Sequence, residues 1–195
     1  MESARNPAVF MDRDGTLNLD IGYIANPADL VLYPFAGQAV RLLNENGLRA
    51  IVVTNQSTVA RGYCSEEMID RIHEKLRNDL NKEGARLDAV YYCPHHPHIG
   101  EERYQVDCQC RKPKAGMLHQ AEREHGIDLG HSYVIGDKTL DIEMARSVGA
   151  RGVLVLTGFG RDSIRRLEGK PMQPDLICKD VLEAVRMILE QQRVP

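Results

Sequence analysis

Short apolar runs alternate with longer amphipathic stretches along almost the whole chain, and the runs tend to end in polar or acidic turns. Residues 8–11, 48–53, 87–92, 132–135 and 152–156 are dense in aliphatic and β-branched side chains. They are too short for buried helices and predict five strands covered on both faces. Residues 175–178 predict a shorter strand at an edge. Between the runs, apolar positions recur at helical spacing. Residues 37–46 carry Ala39, Val40, Leu42 and Leu43 and stop at Gly47; a second helix follows Ser65 with a stripe of Met68, Ile69, Ile72, Leu76 and Leu80. Ser65 is placed to cap it, with Glu66 and Glu67 in the favourable first turn. Residues 115–125, closed by Gly126, and residues 142–148 and 181–189 complete the set. Strands alternating with helices predict an α/β fold of three layers, α/β/α, around a central parallel sheet, with residues 1–195 forming a single domain.

The chemistry sits where the runs end. The first runs into Asp12-Arg13-Asp14-Gly15-Thr16. Strand side chains repeat every second residue, so Asp12 and Asp14 leave on one side, and Gly15 lets the backbone turn away. Two acids held together call for a cation, and a hard, oxygen-seeking ion such as Mg²⁺ suits them. One carboxylate can attack phosphorus while the other carries a proton. The second run ends in Thr54-Asn55-Gln56-Ser57, where Thr54 can donate to a phosphoryl oxygen and Asn55, Gln56 and Ser57 can line the substrate pocket. Arg61 offers a cation near the same mouth or is a solvated surface charge, and the loop carrying Asp20, Gly22 and Tyr23, on its residues alone a plain connector, is well placed to line a substrate pocket. The fourth run ends in Gly136-Asp137-Lys138. Asp137 can complete an oxygen shell with Asp12 and the main chain of Asp14; Lys138 is a candidate substrate contact. Asp141 reads either as support for that shell or as the acidic first turn of a helix. In open parallel sheets, ligands bind beyond the carboxyl ends of the strands, and three of these runs deliver matching groups there.

A different chemistry occupies residues 93–112. Cys93-Pro94-His95-His96-Pro97-His98 and Cys108-Gln109-Cys110 supply more groups than a four-coordinate Zn²⁺ needs. A Cys-x-His and a Cys-x-Cys pair would clamp the ends of a loop with no periodic pattern of its own, and a site closed by four protein ligands is structural. Arg111 and Lys112 follow directly. Lys112 can pair with Asp12 and a phosphate oxygen, and Arg111 can hold a second anionic group bidentately. His73 reads as a surface or satisfied side chain, and His119, His125 and His131 show no ligand-like spacing and read as structural.

Composition adds exclusions. A net charge of −3 over 195 residues gives no global pull toward nucleic acid or an anionic membrane. No apolar run approaches the ~20 residues of a membrane span, and the first residues lack a signal-peptide core. Five cysteines, three of them clustered, favour metal binding over a disulfide framework. The expectation is a cytoplasmic, monomeric enzyme with a small substrate.

The Asp12-x-Asp14-Gly15-Thr16 turn, Thr54, Lys112 and Asp137 together resemble the four motifs of the haloacid dehalogenase superfamily of phosphohydrolases, along nearly the whole chain. The resemblance implies a Rossmann-like core of the capless type, since no long insertion separates the motifs. It also implies hydrolysis of a phosphate monoester through an aspartyl-phosphate on Asp12, with Asp14 as acid and base and Mg²⁺ on Asp12, Asp14 and Asp137. Within the superfamily, Cys-Pro-His-His-Pro followed by Cys-x-Cys-Arg-Lys-Pro, with Thr-Asn-Gln-Ser and Ala-Arg-Gly upstream, resembles the heptose-bisphosphate phosphatases of ADP-heptose synthesis. That branch implies a phosphorylated sugar as substrate, Zn²⁺ on Cys93, His95, Cys108 and Cys110 with His96 and His98 free, and recognition of the second phosphate end by Arg111. Thr58 departs from the glycine frequent in the branch. Histidinol-phosphate phosphatases are a sister branch with a similar loop. A polynucleotide phosphatase lacks the basic, aromatic-interleaved stretch it needs here. A zinc-loop interaction module without catalysis is the reading of another class.

Overall fold

The computed structural model describes residues 6–193. Among the described residues, six strands form one sheet in the order β3-β2-β1-β4-β5-β6, and every neighbouring pair is parallel. They are β1 (Ala8–Met11), β2 (Arg49–Asn55), β3 (Ala89–Cys93), β4 (Tyr133–Gly136), β5 (Arg151–Val155) and β6 (Leu176–Cys178). The helices are α1 (Ala36–Glu45), α2 (Glu66–Lys82), α3 (Gly116–His125), α4 (Thr139–Ser147), α5 (Gly160–Leu167) and α6 (Val181–Arg193). The chain winds outward from β1 through β2 to β3, then returns to β4 on the other side of β1. Here the direction of winding reverses, so the crevice for a ligand opens beyond the carboxyl ends of β1 and β4.

Alternation along the strands builds the layers. Val9, Met11 and Val52 pack into one cluster with Val40, Leu43, Ile69, Ile72, Val185 and Ile188 of α1, α2 and α6. Phe10, Ile51 and Val134 point the opposite way, onto Met117, Leu118, Met144 and Ala145 of α3 and α4. Each of the larger side chains contributes roughly 1.5–3 kcal/mol by leaving water, so the sheet is fixed from both faces.

Helix ends follow local chemistry. Ser65 Oγ accepts from Met68 N (3.2 Å) at the start of α2, and Gly126 takes a left-handed conformation (φ 62°) after α3. Differences from the sequence reading include two strand boundaries and one helix. β2 runs on through Thr54 and Asn55 because both pair with β3, opposite Tyr92 and Cys93. β3 starts two residues late, since Asp88 turns to receive Ala50 N (2.9 Å). The α5 helix was not expected: among its residues only Gly160, Ser163 and Leu167 are buried, too few apolar positions to register as a stripe. Among the described residues, no helix is long and apolar enough to cross a membrane.

Candidate active site

Parallel pairing aligns Met11 of β1 with Val52 and Ile135, and Asp12 N donates to Ile135 O (2.9 Å). The residues that follow β1 and β4 therefore emerge side by side. One carboxylate oxygen each from Asp12, Asp137 and Asp141 lie within 4.8 Å of one another, and all three residues are buried. Lys112 Nζ stands 3.0 Å from Asp12, 2.6 Å from Asp141 and 3.1 Å from the carbonyl of Val53. Burial acts to lower the Lys112 pKa, but the charges of Asp12 and Asp141 outweigh it and the net shift is upward. The lysine is held charged.

Asp137 is the least comfortable member. It has no solvent exposure, and among the described residues its Oδ1 has no hydrogen-bond partner, only the more distant Lys138 Nζ at 3.9 Å. Burial, with Asp12 next, pushes its carboxyl up to about 7. Oδ2 receives Phe159 N (2.8 Å), and Ser163 Oγ donates to the Asp137 carbonyl (2.8 Å), so α5 and the turn before it hold this residue in place. Glycines let the backbone close around it: a Cβ on Gly15 or on Gly158 would come within 2.2 Å of Oδ2. A buried, acid-rich cradle with an orphaned oxygen fits a small dication. The converging carboxylates are those of Asp12, Asp137 and Asp141; that of Asp14 is not among them.

Asp14 is engaged elsewhere. Oδ1 accepts from Arg13 Nε (3.0 Å) and Asn18 Nδ2 (2.9 Å), and Oδ2 from Arg13 Nη2 (2.8 Å) and Gln56 Nε2 (2.9 Å). It still borders the cavity above the acidic cluster, as do Asp12, Thr54 and Lys112. Of the expected substrate contacts, Asp20, Gly22, Tyr23, Asn55, Gln56, Ser57, Arg111 and Lys138 also line this cavity. Arg61 does not; its guanidinium lies over the Tyr23 ring, 5.0 Å from the centroid, and supports that wall from behind.

Four of these side chains have work within the protein. The Asn55 amide accepts from Lys112 N (3.0 Å) and donates to Lys112 O (3.2 Å), fastening the lysine's backbone to the end of β2. Gln56 is buried and ties Arg13, Asp14 and Thr54 together, with Nε2 2.9 Å from Thr54 Oγ1. Lys138 reaches back to Asp20 (3.0 Å). Arg111 donates to the His95 carbonyl (2.8 Å), which ties it to the cysteine-rich loop. His73 is a satisfied histidine, as read, but a buried one: Nε2 lies 3.3 Å from Arg13 Nη1. Its pKa falls to about 3, chiefly through burial and then through Arg13 and Arg77. Neither Arg13 nor His73 was given a role in the site from the sequence. The one available signal was an arginine wedged between two acids, which a buried turn has to neutralise.

The ligand atoms of Cys93, His95, Cys108 and Cys110 gather within 4.8 Å. Measured edges are 3.4 Å for Cys93–Cys108, 3.1 Å for Cys108–Cys110, and 3.8 and 3.5 Å from His95 Nδ1 to Cys93 and Cys110. Zn–S and Zn–N bonds of ordinary length give tetrahedral edges of about 3.5–3.8 Å; the histidine edges match these and the two sulfur–sulfur edges are shorter. Contact with Cys110 and burial raise the Cys93 thiol, while Cys110, hydrogen-bonded by Cys93, drops to about 5. Packed thiols that cannot all ionise alone suit a dication between them. His96 and His98 stay outside the group, with His98 N bonded to His96 Nδ1 (3.1 Å). Cys64 and Cys178 are free thiols.

A six-stranded parallel sheet with acids at the switch point and a buried lysine beside them defines a phosphate-ester hydrolase site of the haloacid-dehalogenase-like class, and a family model described as HAD-hydrolase-like matches residues 109–184. A protein of Haemophilus ducreyi called D-glycero-beta-D-manno-heptose-1,7-bisphosphate 7-phosphatase is 45% identical over 153 residues, covering 77% of this chain and 84% of that protein. D-glycero-D-manno-heptose-1,7-bisphosphate 7-phosphatase of Thermosynechococcus vestitus is 44% identical over 189 residues, 93% of this chain and 95% of its own. The crystal structure of D,D-heptose 1,7-bisphosphate phosphatase from B. bronchiseptica, complexed with magnesium and phosphate, superposes with a TM-score of 0.85 at 29% identity, covering 95% of this chain and 99% of that one. The chain belongs to the heptose-1,7-bisphosphate 7-phosphatase family.

Proposed function

We propose that this enzyme removes the 7-phosphate of D-glycero-D-manno-heptose 1,7-bisphosphate, a step toward ADP-heptose and the surface glycans built from it. The observation that carries the reading is the meeting of Asp12, Lys112, Asp137 and Asp141 beyond the carboxyl ends of β1 and β4, with Asp14 on the rim of the same cavity. Kinship with the heptose-bisphosphate phosphatases supports the substrate; nothing in the comparisons favours histidinol phosphate.

In this reaction the Asp12 carboxylate attacks phosphorus in line with the sugar oxygen, and the P–O bond to the sugar breaks as the aspartyl-phosphate forms. Asp14 gives its proton to the departing oxygen, then takes one from the water that cleaves the intermediate, releasing phosphate and restoring Asp12. Lys112 and Thr54 hold the non-bridging oxygens, and Lys112 also tempers repulsion between the anionic nucleophile and the anionic substrate. Asp12, Asp137 and the Asp14 main chain are the residues that would hold Mg²⁺, which supplies charge neutralisation at the phosphoryl group. Arg111, Lys138 and the Asp20–Tyr23 wall orient the sugar and its remaining phosphate.

Cys93, His95, Cys108 and Cys110 hold a structural Zn²⁺ in this reading. In this reading the enzyme is a monomer acting on a small phosphorylated sugar in the cytoplasm. The discriminating experiment is kcat/KM for heptose 1,7-bisphosphate against histidinol phosphate. A preference of tenfold or more for the heptose is expected, about 1.4 kcal/mol of transition-state discrimination; a preference for histidinol phosphate would overturn the assignment.

A further inference from the structure

Arg13 and His73 have no part in the reaction as described, yet both are buried directly behind Asp14. The Arg13 fork holds the two oxygens of Asp14 separately, Nε at 3.0 Å and Nη2 at 2.8 Å. Nη2 also meets Gln56 Oε1 at 3.0 Å, and the remaining nitrogen, Nη1, lies 3.3 Å from His73 Nε2. A guanidinium has only hydrogens to offer. His73 Nε2 must therefore be the bare nitrogen of a neutral ring, with the proton on Nδ1. The ring stands 5.3 Å from that of Tyr92, centroid to centroid.

We propose that Arg13, steadied by neutral His73, is the positioning residue for Asp14: the guanidinium fork sets where this carboxylate stands for proton transfer, and the imidazole sets the fork. The inference rests on the reading of Asp14 as proton carrier. Asn18 and Gln56 add neutral donors to Asp14 at 2.9 Å each, but among the described residues Arg13 alone grips both oxygens. Proton transfer demands a heavy-atom separation near that of a hydrogen bond, so a fork free to swing misplaces the carrier at both moments it is needed. Departure of the sugar needs the first proton. Hydrolysis of the aspartyl-phosphate needs the second transfer whatever group has left.

The test uses the metal-loaded enzyme with p-nitrophenyl phosphate, whose leaving group departs without a proton, beside heptose 1,7-bisphosphate. His73→Leu removes the acceptor; His73→Gln returns one. For His73→Leu we expect a burst of nitrophenol approaching one per chain and steady turnover lowered by roughly tenfold or more. The kcat for the heptose should fall at least as far with KM within about twofold of the parent, and His73→Gln should recover most of the loss. Unchanged turnover in His73→Leu, a loss shared by His73→Gln, or a loss without a burst would overturn the proposal. Should leucine at position 73 unfold the chain, Arg13→Lys, which keeps the charge and loses the fork, must give the same burst and slowing; parent-like turnover there also overturns it. Acid quench of the unsubstituted enzyme is the separate control: no aspartyl-phosphate there sinks the reading of the site itself, before any variant is compared.

Discussion

Lys112 Nζ lies 2.6 Å from Asp141 Oδ1, and both side chains are almost wholly shut off from solvent. The lysine arrives from the end of the cysteine-rich loop and the acid from the first turn of α4, so Asp141 is placed for both of its expected roles. It orients the cation that faces Asp12, besides receiving Lys138 N (3.2 Å) at the helix start. Replacing Asp141 with Ala should lower kcat by roughly 10–100-fold, the usual effect of losing a side chain that holds another in place. Steady-state assays beside thermal melts check it: full activity with only about 1 kcal/mol of lost stability would reduce Asp141 to a helix cap.

Lys112→Met should cost more. It leaves Asp12 and Asp141 facing each other and strips a fixed charge from the phosphoryl oxygens, so kcat should fall by roughly 10²–10³-fold. A chain that folds, binds metal and retains near-parent turnover would remove Lys112 from the reaction.

Acidity gives a third handle. Asp137 carries a folded pKa of about 7 against 3.8 for an ordinary aspartate. A carboxyl raised on folding binds more protons folded than unfolded, so its contribution is full below about pH 4 and lost as pH climbs through 7. His73 acts in the opposite sense: neutral when folded, with a pKa near 3, it favours folding above about pH 6.5 and loses that contribution as pH falls toward 3. The two overlap in a simple stability profile, but a dication on the acids cancels only the Asp137 part. The gain in Tm on adding Mg²⁺ should therefore be larger at pH 7.5 than at pH 5.5, as differential scanning fluorimetry would show. A gain independent of pH would place the ion elsewhere.

The sulfur cluster predicts dependence on a metal that takes no chemical step. Elemental analysis should find about one zinc per chain. Its removal should loosen residues 93–112, with Tm falling about 2–4 °C for each kcal/mol lost, and lower turnover as well, because Arg111 hangs on the His95 carbonyl and Lys112 follows directly. Hydrogen exchange with and without chelator reads the loosening; a zinc-free enzyme of unchanged rate and protection would contradict it.

Strand ends and their acids were legible because the signal is local: an apolar run followed by a carboxylate one to three residues on, as at Asp12 and Asp137. The sheet's parallel sense followed from the alternation of elements. The α5 helix was invisible, since a segment with three inward positions is held by what it caps, here Asp137 through Phe159 N and Ser163, and not by a stripe. The partners of Asp14 were hidden for a related reason. His73 lies 60 residues from Arg13, on a helix whose apolar stripe masks it. Asn55 and Gln56 were read as substrate contacts from their place at the end of β2; they do line the cavity, and their amides also fasten Lys112 and Arg13.

The two glycines beside Asp137 leave the pocket floor without slack. Thr157 Oγ1 donates to the Gly15 carbonyl (2.6 Å), so the loops after β1 and β5 interlock around one carboxylate, and a single added methyl on either side would strike it at 2.2 Å. Neither loop can be redesigned on its own: a change of backbone path at one glycine has to be matched at the other, which makes this floor the most stubborn part of the enzyme to re-engineer, while the walls of the cavity stay open to exchange.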